Sequence, residues 1–301
     1  MDALELEIYK RYRNVIDPDW QSGSGSLDIN FDEPRRVRLG DLLDIYDAFC
    51  FDGYGTLYNR GSFVYEGALE WFSMLRGAGK QIRLVTNAAS NVESVLAAEA
   101  DARGFDFTAG ETVSSGSLAA SFFEERSRTG NAIRELYYIG RPSGVAVLES
   151  FGVSAVENPA SPVVAVSSAT ADESMFEHAV RILQKPGATL LVLNSDAWAP
   201  NIDGTRSPVS GALAERLRRE SGCGDVHYFG KPFPAIFNKV KFSLPVGSRI
   251  LMVGDTLGTD VMGARYAGID SALVVGRNEP AAELKADERA LGIVPDYYLE
   301  V

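Results

Sequence analysis

Residues 45–51 form an apolar run interrupted only by Asp47, and the run breaks off into Asp52-Gly53-Tyr54-Gly55-Thr56. An apolar run of this length reads as a buried strand. Its end is unusual, because a carboxylate stands where two glycines let the chain bend sharply. In open α/β sheets ligands bind at the carboxyl ends of strands. An aspartate there serves as a metal ligand, as a nucleophile, or as the cap of the following turn. This stretch alone does not choose among the three.

The 301 residues suffice for a sizeable core and about two domains. The formal charge of −12 argues against general affinity for nucleic acid or for an anionic membrane. No apolar run approaches the ~20 residues that cross a bilayer. The first residues lack the basic and apolar regions of a signal peptide. A cytoplasmic protein is the expectation. Cys50 and Cys223 give no disulfide framework and no zinc cluster, and Cys50 reads as a small core residue. The two histidines, His178 and His227, lend little support to a Ser-His-Asp triad.

Along the chain, residues 1–40 read as an N-terminal extension that packs on the core. It holds a short amphipathic helix over 4–13 and a turn-rich, mobile run over 17–26. Strands at 45–51 and 82–85 then alternate with helical patterns at 66–79, 90–103 and 111–126, with Ser114, Ser115 or Ser117 as caps. The alternation predicts βαβ units and a parallel sheet. The same sheet is expected to resume at 226–229, 249–253 and 271–275. Between its halves lies a second α/β stretch, with strands near 136–139, 163–167 and 189–193 and helices near 143–151 and 172–184. The fold expected is α/β: a Rossmann-like parallel-sheet core with an inserted α/β cap domain. The core falls at 41–127 and 211–301, and the cap at 128–210.

The groups that follow the core strands form a set. The first strand ends in Asp52, the second in Thr86-Asn87, the third is followed by Lys231, and the fourth ends in Gly254-Asp255 with Asp260 close behind. In a parallel sheet these ends share one edge. Two carboxylates suit Mg²⁺. A lysine and hydroxyl or amide donors suit the oxygens of a phosphoryl group in transfer. Singly, Thr86 reads as a strand-end hydroxyl, Lys231 as a surface lysine and Asp260 as a helix N-cap. Four successive strand ends carrying the required groups in order argue against coincidence.

On these four motifs the sequence resembles the haloacid dehalogenase superfamily over roughly residues 45–277. The segments Gly230-Lys231-Pro232-Phe233-Pro234 and Asn194-Ser195-Asp196-Ala197-Trp198 through Pro208 resemble its class IIA branch of nucleotide, sugar-phosphate and pyridoxal phosphate phosphatases. The resemblance implies a small phosphorylated substrate, attacked by Asp52 to give an aspartyl-phosphate. Thr86 and Asn87 would bind phosphoryl oxygens, and Lys231 would steady Asp52 and the phosphate. Mg²⁺ would lie on Asp52, Asp255 and the backbone carbonyl of Tyr54, with Asp260 orienting its waters or Lys231. Asp196, Trp198 and Arg206 would sit in a substrate-selecting loop over Asp52. Family members often form homodimers through their caps.

The sequence departs from that pattern at Tyr54, where the family's phosphatases carry a second aspartate that protonates the leaving oxygen. A free tyrosine has a pKa of about 10 and is a poor base at neutral pH. Three readings follow: a phosphohydrolase with weak acid–base chemistry, a phosphometabolite-binding protein with little turnover, and a 2-haloacid dehalogenase, whose family members have tyrosine at this place. The retained Asp255 and Asp260 favour the first.

Overall fold

The larger sheet explains why the acid-ended strands matter. Among the described residues it has seven parallel strands, in the order Arg35–Arg38, Tyr297–Glu300, Asp270–Val274, Ile250–Gly254, Ala48–Phe51, Gln81–Thr86 and Thr112–Ser114. The computed structural model describes residues 1–20, 33–278 and 281–300. The expected mobile run therefore lies, from residue 21 onward, outside the described residues. From Ala48–Phe51 the chain winds toward one edge, and from Ile250–Gly254 it winds toward the other. The reversal falls between these two strands, whose carboxyl ends carry Asp52 and Asp255. A crevice at such a switch point is where open α/β sheets hold ligands.

Both faces of the sheet are covered, so its strands are apolar at consecutive positions. Phe49 and Phe51 pack with Trp71, Phe72 and Leu75 on one side. Ala48 and Cys50 pack with Ile236, Phe237 and Val240 on the other. The thiol of Cys50 is wholly buried, and burial pushes it up to about 12, far from a reactive thiolate.

A second parallel sheet runs Asp225–Tyr228, Thr189–Val192, Val163–Val166, Glu135–Ile139, Ser154–Ala155. This corrects one expectation. The strand expected at 226–229 in the larger sheet pairs instead with Thr189–Val192. Thr189 donates to Asp225 across that pair at 2.7 Å, and Val226 and Tyr228 pack on the core of the second sheet. The helix Ser210–Ser221 buries Ala214 and Leu217 in the same core. The inserted segment thus runs on well past residue 210, to about the end of this strand. From it projects a hairpin of Trp198–Pro200 against Arg206–Pro208.

Two further differences are local. The pattern read as one helix over 111–126 is a strand, Thr112–Ser114, followed by the helix Ser115–Arg128. Ser114 ends the strand and caps the helix, accepting from the Ser117 amide. The charged stretch Arg35–Arg38, expected only as extension, pairs with Tyr297–Glu300 at the sheet's edge.

The N-terminal helix, Ala3–Ile16, buries Glu5, Ile8, Tyr9, Tyr12 and Arg13 along one face. That face meets both sheets' surroundings. The Tyr12 ring lies edge-on to Tyr228 at 5.0 Å and to Phe233 at 5.2 Å. A Cβ added at Gly258, in the helical turn Leu257–Val261 after Asp255, would come within 2.2 Å of the Tyr9 ring. Glu5 is wholly buried and pairs with Arg206 of the hairpin. Removing one member of a buried pair strands the other, at a cost of about 3 kcal/mol or more. Glu5→Ala should lower the unfolding free energy by about that much in urea denaturation. A loss below about 1 kcal/mol would show that the pair behaves as a surface one.

Candidate active site

Lys231 is 1% exposed, and its ammonium is the centre of the site. It donates to Asp52 Oδ1 at 2.5 Å and lies 2.7 Å from Asp260 Oδ1. Burial works against a charged lysine, but Asp260, Asp52 and Asp196 outweigh it and raise the ammonium above its ordinary range. Burial also pushes Asp52 up to about 7; Lys231 opposes the rise, while Asp260 and Asp196 add to it.

Asp255 is held differently. Its Oδ1 lies 3.4 Å from the hydroxyls of Thr56 and Thr256. Its Oδ2 is buried and, among the described residues, has no hydrogen bond. Burial, then Asp52 and Asp260, raise its carboxyl well above the usual range. The chain approaches this oxygen closely at Gly55, where φ is +103° and a Cβ would come within 2.1 Å of Asp255 Oδ2. Only glycine satisfies both conditions.

Asp52, Asp255 and Asp260 each bring one carboxylate oxygen to within 4.8 Å of the others. Asp260 is already engaged, since its Oδ2 accepts from the amides of Asp255 at 3.2 Å and Thr256 at 3.1 Å while its Oδ1 faces Lys231. Three buried acids facing one lysine leave surplus negative charge, and a buried oxygen without a donor costs about 1–3 kcal/mol. A divalent cation relieves both defects, and the donor set is all oxygen, as hard cations require. Asp52 and Asp255 are the pair that could hold it.

Thr86 and Asn87 end the neighbouring strand, both buried. The Thr86 hydroxyl accepts from the Ala88 amide at 3.1 Å. The Asn87 side chain joins loops: it accepts from the Lys231 amide at 2.7 Å and donates toward Asp196 Oδ1 at 2.7 Å, the Lys231 carbonyl at 3.0 Å and Ser195 Oγ at 3.2 Å. Ser195 also donates to the Lys231 carbonyl. The Asn87 amide is therefore spent on fixing Lys231 and on tying the inserted unit to the core.

Tyr54 is half-buried, stacked edge-on against Tyr58 at 5.1 Å, and its hydroxyl donates to Glu99 at 3.1 Å. Burial and then Glu99 raise it above its ordinary value. Asn91 donates to the other Glu99 oxygen at 3.0 Å. Of the loop residues, Asp196 joins the Lys231 cluster. Trp198 is partly buried and packs against the apolar cluster that includes Tyr9, Tyr12 and Phe233. Arg206 is engaged within the protein: its guanidinium donates to Glu5 and, at 2.9 Å, to Asn278.

Sequence reasoning did not single out Glu99, Ser195, Arg277 or Asn278. The last two follow the strand Asp270–Val274 and obey the same strand-end rule as Asp52. Arg277 donates to the Thr56 carbonyl and lies 4.2 Å over the Tyr65 ring, while Asn278 donates to Thr256 at 2.6 Å.

Comparison with known proteins matches this arrangement. A family model described as haloacid dehalogenase-like hydrolase matches residues 49–154, and a HAD-hydrolase-like model matches residues 228–300. Chronophin of Mus musculus is 30% identical over 278 residues, covering 88% of this chain and 94% of its own. The chain belongs to the haloacid dehalogenase superfamily of hydrolases. Its relatives and structural neighbours are of the NagD-like, class IIA kind. Glycerol-3-phosphate phosphatase of Homo sapiens is 26% identical over 305 residues, covering 89% of this chain and 94% of its own. Among solved structures, a 4-nitrophenylphosphatase from Thermotoga maritima superposes with a TM-score of 0.70 at 26% identity, covering 86% of this chain and 95% of its own. A glycerol phosphate phosphatase from Mycobacterium tuberculosis, solved in complex with magnesium, gives 0.64 at 26% identity, covering 80% and 72%.

The Asn87 lattice gives a direct test. Asn87→Ala takes away the bonds of the Lys231 amide and of Asp196 Oδ1 to Asn87, while Ser195 still donates to the Lys231 carbonyl, so stability should fall by about 2–4 kcal/mol in urea. Hydrogen exchange should speed at the Lys231 amide in particular. Unchanged protection there would show that another group holds the loop.

Proposed function

We propose that this hydrolase is a phosphatase of small phosphorylated metabolites, of the sugar-phosphate or pyridoxal phosphate type, acting through an aspartyl-phosphate on Asp52. The observation that carries the proposal is the buried Asp255 oxygen without a donor among the described residues, beside Asp52 at the switch point of the sheet. The relatives' names and the magnesium in the Mycobacterium tuberculosis structure point the same way.

In this reading Asp52 attacks phosphorus, and Lys231 aligns its carboxylate and meets the phosphoryl charge. Asp260 fixes Lys231. The Thr86 hydroxyl binds a phosphoryl oxygen, while Asn87 acts mainly by holding Lys231 and Asp196 in place. Mg²⁺ on Asp52, Asp255 and the Tyr54 carbonyl would supply positive charge to the phosphoryl oxygens. The cap keeps bulk water away from the intermediate. Binding with little turnover is the second reading, favoured by a tyrosine at position 54 whose proton points to Glu99. Release of halide from a 2-haloacid ranks behind both, because it gives Asp255 and Asp260 no task.

Asp52→Asn should abolish release of 4-nitrophenol from its phosphate without lowering the melting temperature by more than a few degrees. Calorimetry should find Mg²⁺ binding to the wild type that Asp255→Asn weakens by at least about tenfold, a ΔΔG of about 1.4 kcal/mol. Equal Mg²⁺ affinity in the two proteins would remove the metal from the account.

A further inference from the structure

Phosphate-ester cleavage leaves an alkoxide that needs a proton, and the residue two places after Asp52 does not offer one. The Tyr54 hydroxyl directs its single proton at Glu99, 3.1 Å away, and Asn91 holds Glu99 from the other side at 3.0 Å. The remaining acids beside Asp52 have tasks of their own. Asp260 accepts from two backbone amides and faces Lys231. Asp255 lies between two threonine hydroxyls and carries the oxygen suited to a cation.

Asp196 remains. It belongs to the inserted unit and is carried to the core by the segment joining Thr189–Val192 to Trp198–Pro200. Its main chain is held at both ends, because its amide donates to Asn194 Oδ1 at 2.9 Å and its carbonyl accepts from the Gly211 amide at 2.7 Å. A Cβ at Gly211 would come within 2.6 Å of that carbonyl, so the approach depends on glycine. One carboxylate oxygen, Oδ1, is anchored by Asn87 at 2.7 Å. The other has no hydrogen bond among the described residues, and the side chain is only partly buried. The titratable groups that act on it or are acted on by it are Lys231, Asp260, Asp52 and Tyr12.

We propose that Asp196 is the general acid and base of this enzyme, delivering its proton to the leaving oxygen from the cap side of the site. The proposal rests on the phosphatase reading. A carboxyl group anchored through one oxygen, with the other taking no hydrogen bond among the described residues, is suited to the task, and the Asn87 bond stabilises the carboxylate left after transfer. Burial raises the Asp196 carboxyl to about 6, against Lys231 and the Asn87 bond, and Asp260 adds to the rise. That lies near the working pH, where acid–base catalysis is most effective.

In the first half-reaction the bond from Asp52 to phosphorus forms and the bond from phosphorus to the ester oxygen breaks. The electron pair stays on the ester oxygen, which takes the proton of Asp196 and leaves as an alcohol. In the second, water attacks phosphorus, the bond to Asp52 breaks, and the water's proton passes to the Asp196 carboxylate. Inorganic phosphate departs, and both acids regain their starting states.

The test compares wild type, Asp196→Asn and Asp196→Glu, all full-length and with Mg²⁺ present, on 4-nitrophenyl phosphate and on glycerol 3-phosphate. Nitrophenolate leaves without a proton, whereas an alkoxide does not. Asp196→Asn should lower kcat/KM for the alkyl ester by about 10²–10³-fold. It should leave kcat/KM for the aryl ester within about threefold, which also shows that the variant is folded. Its aryl kcat should fall, with a burst of one nitrophenolate per site, because water now attacks the aspartyl-phosphate without a base. Asp196→Glu should recover at least tenfold of the alkyl rate. Equal losses on both esters in Asp196→Asn, or no loss on either, would overturn the proposal and leave the phosphatase reading standing. A wild type inert toward both esters would overturn that reading and the proposal with it.

Discussion

The structure depends on keeping one ammonium charged in the interior. Lys231 is almost wholly inaccessible, and an isolated charge there would cost several kcal/mol in lost hydration. Asp52 and Asp260 compensate it at 2.5 and 2.7 Å, each from a different segment of the chain. The need for compensation draws together the strand end at Asp52, the loop that follows Ile250–Gly254, and the loop that follows Asp225–Tyr228. The last of these strands belongs to the second sheet, so the lysine also fixes where the inserted unit meets the core. Reactivity and architecture therefore share one charge balance. The same balance is overdrawn on the acidic side by Asp255, which is where the site calls for a cation.

The inserted unit is tied down more firmly than a freely swinging lid. Asn87 bonds to Asp196 and approaches Ser195, and Asn59 donates to the Pro200 carbonyl at 3.0 Å. The N-terminal helix adds a clamp from outside. It pairs with Arg206 of the hairpin, and its Arg11 meets Glu215 of the helix Ser210–Ser221 at 3.0 Å. On the other side its Tyr9 lies against Gly258, in the helical turn that carries Asp260. Arg206, expected from the sequence in the loop over Asp52, is one partner of this clamp.

Much of the fold was legible because a strand buried on both faces has little choice of sequence. Ala48–Phe51 and Ile250–Gly254 read as strands from their apolar runs alone, and the acid after each marked the working edge. What escaped lacks that signature. Arg35–Arg38 is an edge strand with only Val37 buried, so its charges hide it. Thr112–Ser114 is too short to show a period and merges with the cap of the next helix. Asp225–Tyr228 is half-exposed and fits either sheet by pattern; its partner is set by tertiary packing. In the site, the strand-end rule pointed to Asp52, Thr86 and Asp255 on the larger sheet; it also pointed to Lys231, although the strand before that lysine lies in the second sheet. It could not reach Glu99, a charged residue on a helix whose importance comes only from lying opposite Tyr54. Nor could it assign the Asn87 amide, whose partners come from loops over a hundred residues away in the chain.

The central claim is that the carboxylate of Asp52 becomes covalently phosphorylated during turnover. Reductive trapping tests it directly. The enzyme is quenched while hydrolysing 4-nitrophenyl phosphate, treated with borohydride and mapped by peptide mass spectrometry. An aspartyl-phosphate is reduced to homoserine, so the account predicts that conversion at Asp52 and at no other acid. Sustained turnover with an unmodified Asp52, or homoserine at a different aspartate, would contradict it.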